Sequence, residues 1–225
     1  MENASGRHEI KHYINHADYL QLRARLPFIA APDENAADGN GYRVRSLYFD
    51  NHEDKALREK IDGVNEREKF RLRLYNCDPS FIRLEKKGKK GGICFKESAV
   101  IPFEACSRLI LGRYGALKET GDPLMLEFYT KLHFELLRPK IIVDYLREAY
   151  VFPAGNVRVT MDYDIRASLD PGAFLSRQII TVPIPETIIL EVKYDAFLPE
   201  LIRGMAALGS RQQTAFSKYA ATRTF

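Results

Sequence analysis

Lys69, Arg71 and Arg73 occupy every second position of the stretch EKFRLRLYN, residues 68–76, with Phe70, Leu72 and Leu74 between them. In an extended chain successive side chains point to opposite faces, so one face of this segment is cationic and the other oily. Guanidinium forks spaced along a strand suit a planar, multiply charged oxyanion, phosphate above all. One such strand is equally well explained by a polar face turned to water. The pattern gains chemical meaning by recurring. Glu9 and Lys11 alternate in RHEIKHYI, Arg43 and Arg45 in YRVRSLYFD, and Arg83, Glu85 and Lys87 in SFIRLEKK. Tyr145 and Arg147 follow in KIIVDYLRE, Arg158, Thr160 and Asp162 in VRVTMDYDI, and Glu191 and Lys193 in TIILEVKYD. The intervening positions hold residues such as Ile82, Leu84, Val157, Val159, Met161, Leu190 and Val192.

The elements that must position these side chains follow from the same periodicity. Strands are expected at 7–14, 42–50, 68–76, 80–87, 92–101, 140–148, 157–165 and 187–195. Asn15 caps a helix through about Leu26, and Pro102 opens one running to about Leu117. DPLMLEFYTKLHFELL is helical to about Leu137, and another helix starts at Pro199. Shorter helices are expected over 51–60 and from Ser217, and residues 31–41 form a surface loop by composition. So many alternating strands linked by turns or single helices imply an α+β protein whose antiparallel sheet closes or nearly closes. Helices cover its oily outer side and the charged faces converge inside. At an effective dielectric near 20, two like charges ~4 Å apart repel by about 4 kcal/mol. Such an interior calls for a polyanion.

The 225 residues fit one domain, 1–225, with no linker to divide it. A net charge of +4 predicts no strong general affinity for polyanions, so placement matters more than the total. No apolar run is long enough to span a membrane, and MENASGRHEIKHY lacks the pattern of a signal peptide, which makes the cytoplasm the default location. Cys77, Cys94 and Cys106 form no CxxC pair and read as reduced thiols. Nucleic acid is disfavoured because tryptophan is absent and stacking aromatics are not expected among the basic positions. GKKGG at 88–92 reads as a basic hairpin turn and not a P-loop, since no helix follows it. His8, His12 and His16 have helical metal-ligand spacing but fall largely in a strand.

The order of RHEIKHYI, YRVRSLYFDN, KFRLRLY, IRLEKK, CFKES, VDYLREAY, VRVTMDYDI, ILEVKYDAFLP and FSKY resembles the VTC domain, the polyphosphate polymerase branch of the triphosphate tunnel metalloenzymes. The resemblance implies an eight-stranded antiparallel β-barrel tunnel with helices packed outside. It also implies transfer of the terminal phosphate of ATP to a growing polyphosphate chain, with Mn2+ or Mg2+ as cofactor. Carried over by position, the catalytic cations would be Lys11, Arg71, Arg73, Arg147, Lys193 and Lys218. Phosphate would further contact Lys87, Lys96, Tyr145 and Ser217, with Arg43, Arg45 and Arg158 as additional ligands, and Glu191 would hold the metal. ATP and inorganic polyphosphate or triphosphate are the implied partners, and a membrane-protein partner is left open. Arg7 stands where related phosphatases carry a carboxylate, and Ala215 where eukaryotic polymerases carry lysine. A triphosphatase or polyphosphatase using water as acceptor, and a non-catalytic polyphosphate-binding module, are the alternatives.

Overall fold

The computed structural model describes residues 7–36, 41–91, 93–206 and 213–223. In chain order the elements are β1 (His8–Ile14), α1 (His16–Arg25), β2 (Ala31–Pro32), β3 (Tyr42–Asp50), α2 (Lys55–Ile61), β4 (Arg67–Tyr75), β5 (Asp78–Lys90) and β6 (Ile93–Ile101). There follow α3 (Phe103–Ile110), α4 (Ala116–Glu119), α5 (Pro123–Phe134), β7 (Arg138–Phe152), β8 (Val157–Ser168), β9 (Val182–Pro183), β10 (Ile188–Tyr194), α6 (Glu200–Ala206) and α7 (Lys218–Arg223). The long strands form one antiparallel sheet in the order β1-β10-β8-β7-β3-β4-β5-β6, with β2 added beside β7 and β9 beside β8. The sheet curls into a half-barrel.

Register assigns the two faces. Arg71 and Arg73 lie opposite Tyr48 and Ser46 on one side and Glu85 and Arg83 on the other. Lys87 faces Lys96, Arg147 faces Asp162, and Thr160 leads through Glu191 to Lys11. These residues share the concave face. The convex face buries two oily patches. Leu47, Phe70, Leu72, Leu84 and Ile142 pack under α3, α4 and α5 through Cys106, Leu109, Leu117, Phe128 and Leu132. Val157, Val159, Met161, Leu190 and Val192 pack under α1 and α6 through Tyr19, Leu22 and Ile202. The helices exist largely to cover these patches, as expected where tertiary burial outweighs intrinsic propensity.

Several expectations need correction. The ladder is not closed by hydrogen bonds: among the described residues β1 pairs only with β10 along its length, and its other edge bridges at His12 to Gln213, where Thr214 donates its N–H to the Lys11 carbonyl. Not all helices lie outside. α7 packs on the concave side, where Tyr219 stacks on Tyr48 and donates its hydroxyl to Asp50 at 2.6 Å, and Asp50 also accepts from the Ala56 and Leu57 amides at the start of α2. The helix expected to run from Pro102 to Leu117 is split into α3 and α4, with Gly112 in a left-handed conformation (φ 78°) at the break. α5 ends at Phe134, and Leu136, at φ 56°, begins the return into β7. β5 runs through Lys90, so most of GKKGG is strand, while positions 37–40 of the expected loop, position 92 and the end of the helix begun near Pro199 lie outside the described residues.

Candidate functional site

The concave face gathers the charged residues around buried carboxylates. Glu85, fully buried, receives Arg71 Nη2 at 2.6 Å and Lys96 Nζ at 2.6 Å, with Arg73 Nη1 at 3.8 Å. Asp162, also fully buried, accepts a two-pronged contact from Arg147, Nε at 2.6 Å and Nη2 at 2.7 Å, together with Lys218 Nζ. Glu191 bonds Lys193 at 2.8 Å and Lys11 at 3.4 Å, while Glu9 contacts Lys11 and reaches Lys193 at 3.6 Å. Burial opposes ionisation of all these acids, yet the cations prevail. Arg71, Arg73 and Lys96 hold Glu85 far below the carboxylate range. Arg147 and Lys218 hold Asp162 at about 2, and Lys193, Lys11, Arg147 and Lys87 keep Glu191 well below its usual value.

Two cations lack such partners. Among the described residues, no carboxylate lies within ion-pair distance of Lys69 or Lys87. Lys69 reaches the Ser217 hydroxyl at 3.5 Å and lies 5.7 Å from the centre of the Tyr48 ring. Desolvation lowers its pKa to about 8, with Arg71, Lys11 and Lys60 adding repulsion. Desolvation also drives Lys87 well below the lysine range, reinforced by Arg71 and by Lys193 from β10. Lys87 on β5 thus senses the charges of β10, which its ladder does not touch, so the two walls of the half-barrel face one another.

Tyrosines lie on the same face as the basic residues, contrary to expectation. Tyr48 accepts from Arg71 at 3.0 Å, Tyr145 from Arg73 at 3.1 Å and Tyr42 from Arg158 at 3.0 Å. All three are buried and spent on guanidinium groups, so they act as spacers and not as platforms for stacking bases. Despite its burial, the Tyr48 phenol is lowered to about 8 by Arg71, Lys69 and Arg73.

Of the residues singled out in the sequence, the structure brings Lys11, Arg71, Arg73, Lys87, Lys96, Tyr145, Arg147, Glu191, Lys193 and Lys218 to the concave face. Ser217 adjoins Lys69, and Arg158 lies near the rim, paired with Asp33 at 2.9 Å. Arg43 and Arg45 are not with them. They face Leu146 and Asp144 in the ladder and point to the convex side, where Asp144 accepts from Arg43 Nη1 at 2.7 Å and Arg45 Nε at 2.9 Å. Glu85, Asp162, Glu9 and Lys69 are central yet were not assigned to the site; their strand parity was the available signal. Among the described residues no three of His, Cys, Asp or Glu form a metal cluster, so His8, His12 and His16 are not one. The oxygens around Glu191 nevertheless suit a hard divalent cation completed by phosphate oxygens. Glu9 shares its two lysines, and the buried Thr160 Oγ1, across the ladder from it, has no hydrogen-bond partner.

No helix among the described residues is long and apolar enough to cross a membrane. Comparison with curated proteins gives no match. Among solved structures, a putative adenylate cyclase from Bacillus halodurans aligns with TM-score 0.55 at 10% identity, covering 95% of this chain and 94% of that one. A protein from Pyrococcus horikoshii OT3 gives 0.52 at 13% identity, with 95% and 96% covered, and a putative adenylate cyclase from Vibrio parahaemolyticus gives 0.51 at 11%, with 97% and 98% covered. At such identities these likenesses establish the fold alone: a curled antiparallel sheet shared with proteins of otherwise unlike sequence. The sequence itself matches the VTC domain model from residue 6 to residue 225, and the chain belongs to that family.

Proposed function

We propose that the concave cleft holds a phosphate chain and transfers the terminal phosphoryl group of ATP to the end of a polyphosphate. The observation that carries the reading is the pair Lys69 and Lys87, two lysines on the cleft face beside Arg71, Arg73 and Arg147 that have no carboxylate partner among the described residues. An interior that leaves cations uncompensated is stabilised by bound anion. Phosphoryl transfer asks for alignment and charge neutralisation more than for a protein nucleophile. Arg71, Arg73 and Lys87 would grip the triphosphate, and Arg147 and Lys193 would meet the charge on the transferred group. The bond from that phosphorus to the ADP oxygen breaks as one forms to a terminal polyphosphate oxygen. Glu191, with Glu9 and Thr160 beside it, would hold Mn2+ or Mg2+, which neutralises phosphate charge when bound.

Incubation with ATP and manganese, with products resolved on a gel, is the test. Long anionic chains are expected; free phosphate alone would move the activity to hydrolysis, and no turnover would leave a binding module. Glu191→Gln should lower turnover by orders of magnitude while tripolyphosphate binding without metal holds or tightens. Retained turnover would remove Glu191 from the metal site.

A further inference from the structure

A second cationic surface lies on the convex face, between the two helix-covered oily patches. It is an open groove of about 550 Å3 lined by four arginines and two aspartates. The aspartates do not neutralise it. Asp144 is spent on Arg43 and Arg45, and among the described residues Asp164 forms its ion pair with Arg166, at 3.3 Å. Arg45 is buried and fully engaged: besides Asp144 it donates to the carbonyls of Phe174 and Ser176 and to the Cys77 sulfur at 3.3 Å. It is the fixed base of the groove. Arg43 uses one guanidinium nitrogen on Asp144, Arg166 uses Nε on Thr181 at 2.7 Å and Nη1 on Asp164, and among the described residues both keep further N–H groups without a partner. Arg177 is exposed on the segment that forms the far wall.

A specific backbone device puts Arg166 there. Up to Asp162 the even-numbered residues of β8 face the cleft. Between Tyr163 and Arg166 the strand carries one residue more than β7, with Asp164 in a left-handed conformation at φ 46°. This bulge turns Arg166 outward, opposite Asp144 in the ladder, and bulges of this kind re-aim side chains. Without it Arg166 would point into the cleft.

We infer that this groove is a second binding site for phosphate-chain anions, separate from the cleft and on the other face of the sheet. Several guanidinium edges with unused donors around an open space match successive phosphate oxygens. The groove begins at the turn joining β4 to β5, at the end of the sheet where Tyr42, Tyr75 and Arg158 stand on the cleft side. Its occupant is either a continuation of a chain held in the cleft and leaving over this rim, or a separate short phosphate anion. The continuation rests on the proposed function; the short anion does not.

Cys77 supplies the probe, because it lines the groove half-buried, while Cys94 is exposed on β6 and Cys106 is buried. Alkylation is followed by peptide mass spectrometry with an added cysteine peptide as the reference, in tripolyphosphate, in long-chain polyphosphate and in chloride of equal ionic strength. Alkylation of Cys77 should slow roughly tenfold at ten times the dissociation constant, by mass action. Arg177→Ala and Arg166→Gln should abolish this protection, while Lys87→Met, in the cleft, should not abolish protection by a short anion. Protection by tripolyphosphate identifies a separate site, and protection by long chains alone, lost in Lys87→Met, identifies continuation from the cleft. No protection by either anion, or equal protection by chloride, overturns the inference even if tripolyphosphate still raises the melting temperature through the cleft. Protection without any such shift would leave the groove standing and remove the cleft function.

Discussion

Lys87 carries an unusual burden in the ligand-free protein: a desolvated amine whose protonation Arg71 and Lys193 oppose, with no carboxylate in contact among the described residues. Lys87→Met should therefore raise the melting temperature without ligand and weaken tripolyphosphate binding. A binding isotherm and a thermal melt on the same variant check both signs; equal loss of stability and affinity would make Lys87 structural. Lys69 adds a pH dependence. Its pKa is about 8 when folded and about 10.4 when unfolded, so between those values the unfolded chain binds the extra proton and this residue makes stability rise with pH. Below pH 8 the ammonium is charged in both states and its burial is unfavourable. Anion binding needs that charge, so the melting shift given by tripolyphosphate should shrink between pH 7 and pH 9.5. A constant shift would show that Lys69 does not meet the anion. Such residues are legible because alternation in EKFRLRLYN separates their face from the oily one. Arg43 and Arg45 mislead, because they alternate like a polar face while β3 is buried on both sides from Val44 to Asp50 and it is Ser46 and Tyr48 that lie beside Arg73 and Arg71.

The strands β4, β5 and β6 are tied together on the concave face by one carboxylate. Glu85→Gln removes the shared partner of Arg71, Arg73 and Lys96, and breaking a buried pair by deleting one member costs about 3–5 kcal/mol. Urea unfolding should show that loss, and saturating tripolyphosphate should restore part of it by replacing the missing negative charge. No recovery would mean the three cations do not face the ligand. Element identity was accessible from periodicity and caps: Asn15 accepts from the Asp18 amide in a full capping box at α1, and Asp122 caps α5. Bulges were not. The extra residue in β8 and the register shift between β3 and β7 depend on pairing partners far along the chain, so no local pattern announces them.

Across the whole molecule, bound anion should act as a stabiliser of the fold. Tripolyphosphate at 100 times its dissociation constant should add about 2.7 kcal/mol if the unfolded chain binds none. For a chain of this size that is roughly 5–10 °C in melting temperature, read by calorimetry at low salt. An unmoved transition would count against any phosphate-filled cleft. The open ladder was not legible from strand count, because closure depends on whether β1 meets β6 or, as here, takes Gln213 and Thr214 along its edge.

That same edge strand governs the order in which the protein can be made. His8 pairs with Tyr194 and Ile14 with Ile188, so β1, made early among these strands, has its ladder partner in β10, made about 180 residues later. At 5–20 residues per second the wait is roughly ten to forty seconds, far longer than a hairpin needs to form. During synthesis β3 to β6 can assemble as successive neighbours, whereas β1 remains an unpaired edge, a known route to misassembly. Its charged pair, Glu9 and Lys11, thus serves a second purpose before any ligand is met: it keeps a waiting strand soluble.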